Sequence, residues 1–277
     1  MRSTITASTP TTMTLRGCEL PLLLLLTGCA PRGDWALTGS GPLIEGGIPS
    51  TAMADGCSVD FERFLISWDG RFIERGRADP VGEIVGAQVY DFAQPGPHDL
   101  GTAQVLLGEW DRVFAILQPS ADATAGNVDA ATASEIADAG VAMRIEGTVT
   151  CPGSFVAFRW DVDRMIKHHC FAEEVITQEA TATTAFTVAG DRLFSTALED
   201  PSAPLRGQIF VDADVDGSGD VSLAELAQVR LQDVGYDDAD WDLDSLDEFI
   251  VVQTFSFLQS DGSPCRPERL GDPYIAR

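Results

Sequence analysis

The sequence predicts a mainly β protein, in which an antiparallel β-sandwich is followed by a small α-helical module. Between about residues 57 and 190, short stretches of alternating apolar and polar residues are separated by glycine and proline turns, a pattern typical of sandwiches. Strands do not alternate with long helices, which argues against a doubly wound sheet. After Pro204 the composition changes, because residues 210–250 contain 13 acidic residues, one basic residue and apolar residues at helical spacing.

The first element in chain order is a targeting segment. An apolar run from Leu20 to Leu26 follows Arg2 and Arg16, and small residues follow the run. It is too short to span a bilayer, which needs roughly 20 apolar residues. The order of charged, apolar and small residues is typical of a secretory signal.

The end of this run, Leu26-Thr27-Gly28-Cys29, resembles the bacterial lipobox, in which the cysteine is acylated and becomes the mature N-terminus. The resemblance implies a lipoprotein signal peptide over residues 1–28 and a lipid on Cys29. Because Ala30 rather than an acidic residue follows, it also implies a cell-envelope location at the outer membrane. The alternatives are an ordinary signal peptide with a chance cysteine, and a translation start at Met13 instead of Met1.

Residues 29–56 are rich in Gly, Pro, Ser, Thr and Ala and are predicted to form a flexible tether. The sandwich is predicted over residues 57–190. At its start the alternation slips at Arg63, which indicates a bulge, and Trp68-Asp69-Gly70 is a turn signal. The further strand candidates are 84–90, 102–107, 111–117, 141–151, 155–162 and 181–188, and the Ala-rich stretch 129–139 is predicted to be a short surface helix.

Four cysteines follow Cys29, namely Cys57, Cys151, Cys170 and Cys265. An even number in an oxidising compartment predicts two disulfides, for which three pairings exist. We expect Cys151 to pair with Cys170, which is close in sequence, and Cys57 with Cys265, which would tie the ends of the folded part. The alternative is a thiolate metal site, although no CxxC spacing is present.

The acidic region contains one motif with a chemical role. Residues 214–225, DVDGSGDVSLAE, resemble the EF-hand calcium loop, a 12-residue pattern. A register that starts at Asp212 fails, because it places Gly219 at the apolar position and Leu223 at the last ligand position. The register that starts at Asp214 meets every requirement, except that Ser218 stands where Asp or Asn is usual.

These residue types suit calcium, a hard cation that binds six to eight oxygens. The resemblance implies carboxylates from Asp214, Asp216 and Glu225, a hydroxyl from Ser218, the backbone carbonyl of Asp220 and a water-mediated contact from Ser222. Gly219 permits the sharp turn, which needs a positive φ, and Val221 is expected to face the core. The alternative is an acidic turn that binds no ion.

EF-hands usually pair, but the sequence offers no second complete loop. The segment that begins at Asp238 lacks the required glycine, apolar and acidic positions. We interpret it instead as the start of a helix that is capped by Asp240 or Asp242. The buried stripe of this helix is predicted to be Leu246, Phe249 and Ile250.

Segments around the loop are similar to a group of uncharacterised bacterial envelope lipoproteins with an EF-hand domain. The similar segments are Ala189–Phe194, the loop, Leu231–Asp233 and Asp261–Cys265. That group joins a β-rich region to one calcium loop near the C-terminus, so we place an EF-hand helical module at residues 191–265 and a C-terminal tail at 266–277. Arg192 and Pro264 stand where that group has histidines.

Charge and motifs exclude several function classes. The net charge of −25 argues against nucleic-acid binding and against contact with a bare anionic membrane surface. No GxSxG, HExxH, Walker A or GxGxxG pattern is present, so no catalytic residue is assigned and the protein is not expected to be an enzyme. Lys167–Cys170 is a weak metal candidate, because adjacent strand residues point to opposite faces. Asp161 and Asp163 are expected to face solvent.

The predicted function is therefore calcium binding by a cell-envelope lipoprotein, with Ca²⁺ stabilising the fold or a binding surface. The membrane would be contacted through the N-terminal lipid only. One alternative is a calcium-dependent adhesion or assembly module with an envelope protein as partner. The other is a hydrolase whose fold calcium supports.

Overall fold

The structure is a computed structural model that describes residues 31–74, 82–198, 200–239, 241–260 and 263–267. The predicted signal peptide, Cys29 and most of the predicted C-terminal tail lie outside these residues. The strands are β1 Arg32–Ser40, β2 Ser58–Glu74, β3 Gly82–Ile84, β4 Gln88–Asp91, β5 His98–Leu106, β6 Gly108–Leu117, β7 Thr124–Ala125, β8 Met143–Cys151, β9 Ser154–Val162, β10 Ile166–Ile176, β11 Ala182–Val188, β12 Asp220–Val221, β13 Leu258–Ser260, β14 Ser263–Pro264 and β15 Arg266–Pro267.

The helices are short and lie mostly in the second half of the chain. They are α1 Pro42–Gly46, α2 Ala130–Ala139, α3 Gln208–Asp212, α4 Leu223–Leu226, α5 Leu231–Val234 and α6 Leu246–Gln253, with one 3-10 helix at Gly190–Phe194. None of the helices in the described residues is long and apolar enough to cross a membrane.

The described chain is mainly β, as predicted, and forms two sheets. The smaller has the strand order β14-β13-β11-β1-β5, and the larger has the order β12-β9-β8-β2-β6-β10-β15, with β3, β4 and β7 beside it. Most pairs are antiparallel, but β1–β11, β9–β12 and β4–β7 are parallel. The prediction of an antiparallel sandwich therefore holds for most strand pairs and fails for these three. Parallel pairs need a long connection between their strands, and β1 and β11 lie far apart in the chain.

The predicted tether at residues 29–56 is also wrong for its described part. Residues 32–40 form β1, which lies between β5 and β11, and α1 follows it. Trp35 and Leu37 on β1 are fully buried, and the Trp35 Nε1 donates to Thr184 Oγ1 at 3.0 Å. The buried alternation of Gly33, Trp35 and Leu37 marks a strand, although the Gly, Ser and Thr content of the segment resembles that of a linker.

Two local predictions in the first sandwich strand have opposite outcomes. The bulge at Arg63 is confirmed, because the register between β2 and β8 shifts between Phe61 and Arg63. The prediction of a turn at Trp68–Gly70 is wrong, because β2 continues through these residues, with a second register shift against β6. Trp68 is fully buried and its ring lies 5.3 Å from Phe186 of the small sheet, so its side chain contributes to the core and not to a turn.

The predicted surface helix is confirmed as α2. It begins after Asp129, whose side chain accepts a hydrogen bond from the Thr132 backbone N–H, an N-cap of the usual kind. Gly140 ends it in the left-handed conformation. The hydrophobic face of α2, with Ala133 and Ile136, packs against Leu65 and Val89 of the large sheet.

One hydrophobic core joins both sheets and the short helices. Its members include Trp35 of the small sheet, Trp160 of the large sheet, and Phe210 and Phe249 of the helices. The described residues from Arg32 onward belong to one compact unit. The helical region therefore buries its apolar side chains against the sheets, in one continuous core.

Both disulfides are formed, but the expected pairing is wrong. Cys57 pairs with Cys151, and Cys170 pairs with Cys265. Cys57 immediately precedes β2 and Cys151 ends β8, the antiparallel neighbour of β2. Cys170 lies on β10 and Cys265 directly precedes β15, which pairs with β10. Sheet neighbourhood decides the pairing, and the thiolate metal site is excluded because all four sulfurs are bonded.

Candidate metal centre

Three of the predicted ligand residues converge on one point. Asp214 and Asp216 follow α3, and Glu225 lies on α4. One carboxylate oxygen from each of them lies within 4.8 Å of the others. Three carboxylates this close repel one another unless a cation lies between them.

The backbone of the loop folds around the two aspartates. Asp214 Oδ1 accepts from the Ser218 N–H at 3.0 Å, and Asp214 Oδ2 accepts from the Gly219 N–H at 2.9 Å. Asp216 Oδ1 accepts from the same Ser218 N–H at 2.9 Å. These bonds need a tight reversal, which Gly217 and Gly219 provide with φ of 69° and 83°. Hydrogen bonds from Ser218 lower the pKa of Asp216, so that carboxylate stays ionised.

Glu225 closes the loop and has one free oxygen. Its Oε2 accepts from the N–H and the hydroxyl of Ser222, each at 2.9 Å. In return, the Glu225 N–H donates to Ser222 Oγ at 3.3 Å, which completes a capping box at the start of α4. Glu225 Oε1 is buried and has no hydrogen-bond partner in the described residues. A buried carboxylate oxygen without a partner is costly, and a cation at the three-carboxylate cluster would satisfy it.

The remaining predicted ligands form hydrogen bonds within the loop. The Ser218 hydroxyl donates to the Asp220 carbonyl at 3.1 Å, while the Asp220 side chain is exposed. Ser222 is the N-cap residue of α4. The structure therefore brings together the three carboxylates and holds Ser218, Asp220 and Ser222 around them.

The loop contacts the large sheet, which the sequence did not predict. Asp220 and Val221 form β12, which pairs in parallel with Ala157 and Phe158 of β9. The Ala157 N–H donates to the Gly219 carbonyl at 2.9 Å, and the Trp160 Nε1 donates to the Val221 carbonyl at 3.3 Å. Val221 is 1% exposed, as expected for a core position. The loop therefore pairs with the edge of the large sheet and not with a second EF-hand.

The segment after the loop agrees with the prediction in its core and differs at its start. Leu246, Phe249 and Ile250 of α6 are fully buried, so the predicted stripe is confirmed. The helix begins after Ser245, so the predicted cap at Asp242 is wrong. Asp242 has a φ of 57°, a left-handed conformation in the loop before the helix. Asp240 lies outside the described residues.

Within the described residues, the other polar candidates do not form a second site. Cys170 is in a disulfide, which removes it as a ligand of the Lys167–Cys170 segment. Asp161 forms two hydrogen bonds with the Arg144 guanidinium, at 2.6 and 2.9 Å. Asp161 nevertheless keeps 36% of its side-chain surface accessible and Asp163 is exposed, so both reach solvent as expected.

Comparison of the chain with known proteins adds no family to this description. No protein-family model matches it, and searches of curated proteins and of solved structures find no match either. The geometry of the loop is therefore the basis for any functional conclusion.

Proposed function

We propose that this chain is a calcium-binding lipoprotein of the cell envelope, in which an EF-hand-like loop on a two-sheet sandwich binds one Ca²⁺. The observation that carries the proposal is the convergence of Asp214, Asp216 and Glu225 within 4.8 Å. The donor set consists of oxygens only, which suits hard cations such as calcium more than zinc or copper. The unpartnered Glu225 Oε1 fits a ligand that closes the coordination shell.

The role of the ion in this proposal is to stabilise the junction between the large sheet and the helices. Without a cation, the loop carboxylates repel one another beside the β9 edge. With a cation, that repulsion becomes attraction, and β12 is held against β9. Three carboxylate ligands suggest modest affinity, with a Kd of roughly 10⁻⁴–10⁻³ M as in extracellular calcium modules. No catalytic residue is part of the proposal.

The lipid on Cys29 would place the protein at the membrane, by way of the outer-membrane sorting that Ala30 implies. Since β1 begins at Arg32, only two residues separate the acylated cysteine from the first strand. Even fully extended, this connection spans roughly 10 Å. The proposal therefore has the folded domain close to the bilayer surface, and replacing Cys29 by Ser should release the protein into the soluble fraction.

Calcium binding is tested by thermal unfolding with Ca²⁺ and with EDTA. At ten times the Kd, one bound ion adds about 1.4 kcal/mol to the free energy of unfolding, so the midpoint should rise by several degrees. Glu225→Gln removes a charged ligand and should abolish the rise. Asp233→Asn is the matched control, because Asp233 is an exposed acid on α5 that lies outside the loop, and it should retain the rise. The proposal is contradicted if calcium changes neither the wild-type midpoint nor the heat measured by titration calorimetry.

A further inference from the structure

The loop differs from the usual EF-hand pattern at its last ligand position. In EF-hand loops the closing glutamate binds the ion with both carboxylate oxygens. In this chain Glu225 Oε2 accepts two hydrogen bonds from Ser222, one from the backbone N–H and one from the hydroxyl, each at 2.9 Å. A carboxylate oxygen has two lone pairs, so both lone pairs of Oε2 are used within the protein.

The other oxygen of this carboxylate is the one that remains available to a cation. Glu225 Oε1 is buried and has no hydrogen-bond partner in the described residues. One carboxylate oxygen of Glu225 lies within 4.8 Å of one from Asp214 and one from Asp216. In this arrangement Glu225 would supply a single ligand oxygen, where the usual pattern supplies two.

Ser222 is itself fixed by the start of α4. Its Oγ accepts from the Glu225 N–H at 3.3 Å, while its own hydroxyl hydrogen points to Oε2, and the two residues together form the capping box. Turning the Glu225 carboxylate until both oxygens faced an ion would break both hydrogen bonds of Oε2. Hydrogen bonds to a charged group are costly to lose, so the arrangement with one ligand oxygen is favoured.

The number of ligand oxygens decides which ions the loop accepts. With one oxygen from Glu225, the predicted shell has about six oxygens, the number that Mg²⁺ requires for its octahedron and the lowest number that Ca²⁺ takes. A second oxygen from Glu225 would give about seven, which Ca²⁺ accepts and Mg²⁺ does not. The other predicted ligands are Asp214, Asp216, Ser218, the Asp220 carbonyl and a water at Ser222.

We propose that Ser222 determines the ion selectivity of the loop. By using both lone pairs of Glu225 Oε2, it limits Glu225 to one ligand oxygen, so that the loop binds Mg²⁺ in competition with Ca²⁺. This inference rests on the proposed calcium site and names a second ion for it. Removing the Ser222 hydroxyl would free one lone pair of Oε2. Glu225 would then bind Ca²⁺ with both oxygens, while Oε2 keeps its hydrogen bond from the Ser222 N–H.

The test is a titration of the full-length protein with CaCl₂ and, separately, with MgCl₂ at constant ionic strength, followed by the backbone amide signal of Gly219. In wild type we expect both ions to give saturable shifts, with Kd values within about tenfold of each other, and Mg²⁺ to displace Ca²⁺. Ser222→Ala should raise the ratio of the Mg²⁺ Kd to the Ca²⁺ Kd about fivefold, which corresponds to one hydrogen bond. The ratio is the informative quantity, because loss of the helix cap alone weakens the binding of both ions alike.

Two control variants separate selectivity from folding. Ser222→Thr keeps a hydroxyl at this position and should have the wild-type ratio. Asp129→Ala removes the N-cap of α2, a helix that supplies none of the predicted ligands, and should also have the wild-type ratio. The proposal is overturned if wild type binds Ca²⁺ but not Mg²⁺, or if Ser222→Ala leaves the ratio unchanged, even where both affinities fall. Binding of neither ion by wild type would instead contradict the calcium site itself, and this inference with it.

Discussion

Among the described side chains with buried polar atoms that lack a hydrogen-bond partner, three are informative at the residue scale. These side chains are Glu225, at its Oε1, Tyr236, at its hydroxyl, and His168, at both ring nitrogens. Leaving such an atom unpaired costs about 1–3 kcal/mol. The first lies at the carboxylate cluster, where the proposed cation would satisfy it. Tyr236 and His168 are buried beside the rings of Phe249 and Phe257, and the effect of His168 should be on stability.

His168 should make the protein less stable at acidic pH. It is fully buried, and this burial, together with the neighbouring His169, lowers its pKa from 6.5 to about 3. Below pH 6.5 the unfolded chain therefore binds a proton that the folded chain does not bind. The free energy of unfolding is therefore unaffected by this group above pH 6.5. Between pH 6.5 and about 3 the group lowers it, by about 1.4 kcal/mol per pH unit at most.

Chemical denaturation of wild type and His168→Leu, both in EDTA, checks this prediction. Between pH 7.5 and 5.0 the wild type should lose about 2 kcal/mol more of its free energy of unfolding than the variant does. Working in EDTA removes the separate effect of protonating calcium ligands. Equal losses in the two proteins would show that the folded chain protonates His168 as readily as the unfolded chain does, and would contradict the prediction.

At the scale of elements, sequence pattern was sufficient where one face of an element is buried. The alternation in β9 and β11, the bulge at Arg63 and the stripe of α6 each follow from a single period of burial, and each agrees with the structure. The ligand spacing of residues 214–225 is also local, which is why a cluster could be predicted there. The elements that failed depend on distant partners. β1 needs β11 and β5 to cover Trp35, and the disulfides depend on which strands are neighbours.

The pairing of β12 with β9 is a further contact between distant segments, and it gives an element-scale prediction. The Ala157 N–H donates to the Gly219 carbonyl, so its hydrogen exchange reports whether the loop stays on the sheet. We expect Ca²⁺ to slow exchange at Ala157 relative to EDTA, because the ion would hold the loop in the paired arrangement. Phe186 of the small sheet serves as the reference amide and should exchange at the same rate in both conditions.

Glu225→Gln is the control for this measurement and should show no difference at Ala157 between Ca²⁺ and EDTA. If the Ala157 amide is equally protected in both conditions in wild type, strand pairing and the packing of Val221 hold the loop on β9 without the ion. In that event calcium would have no part in joining the helices to the sheet. Calcium binding itself could then still be measured by calorimetry, so the two conclusions are separable.

At the scale of the whole molecule, the two disulfides close separate loops of the chain, and one of these loops contains the acidic helical region. The −12 net charge of residues 210–250 is concentrated in the helical region next to the β9 edge. Cys170–Cys265 closes a chain loop that contains this whole region, and Cys57–Cys151 closes the preceding one, which contains most of the large sheet. Each disulfide thus limits the unfolded chain over a different half of the protein.

Removing either disulfide should therefore destabilise the protein to a similar extent. The two sequence separations are 94 and 95 residues, so the loop-closure entropy that each removes from the unfolded chain is nearly the same. Cys57→Ala/Cys151→Ala and Cys170→Ala/Cys265→Ala should each lower the free energy of unfolding by about 2–5 kcal/mol. Denaturant titrations in EDTA measure this loss without any contribution from the calcium loop. A loss confined to one variant would mean that strain or residual structure in the unfolded chain, and not loop entropy, determines what these cross-links contribute.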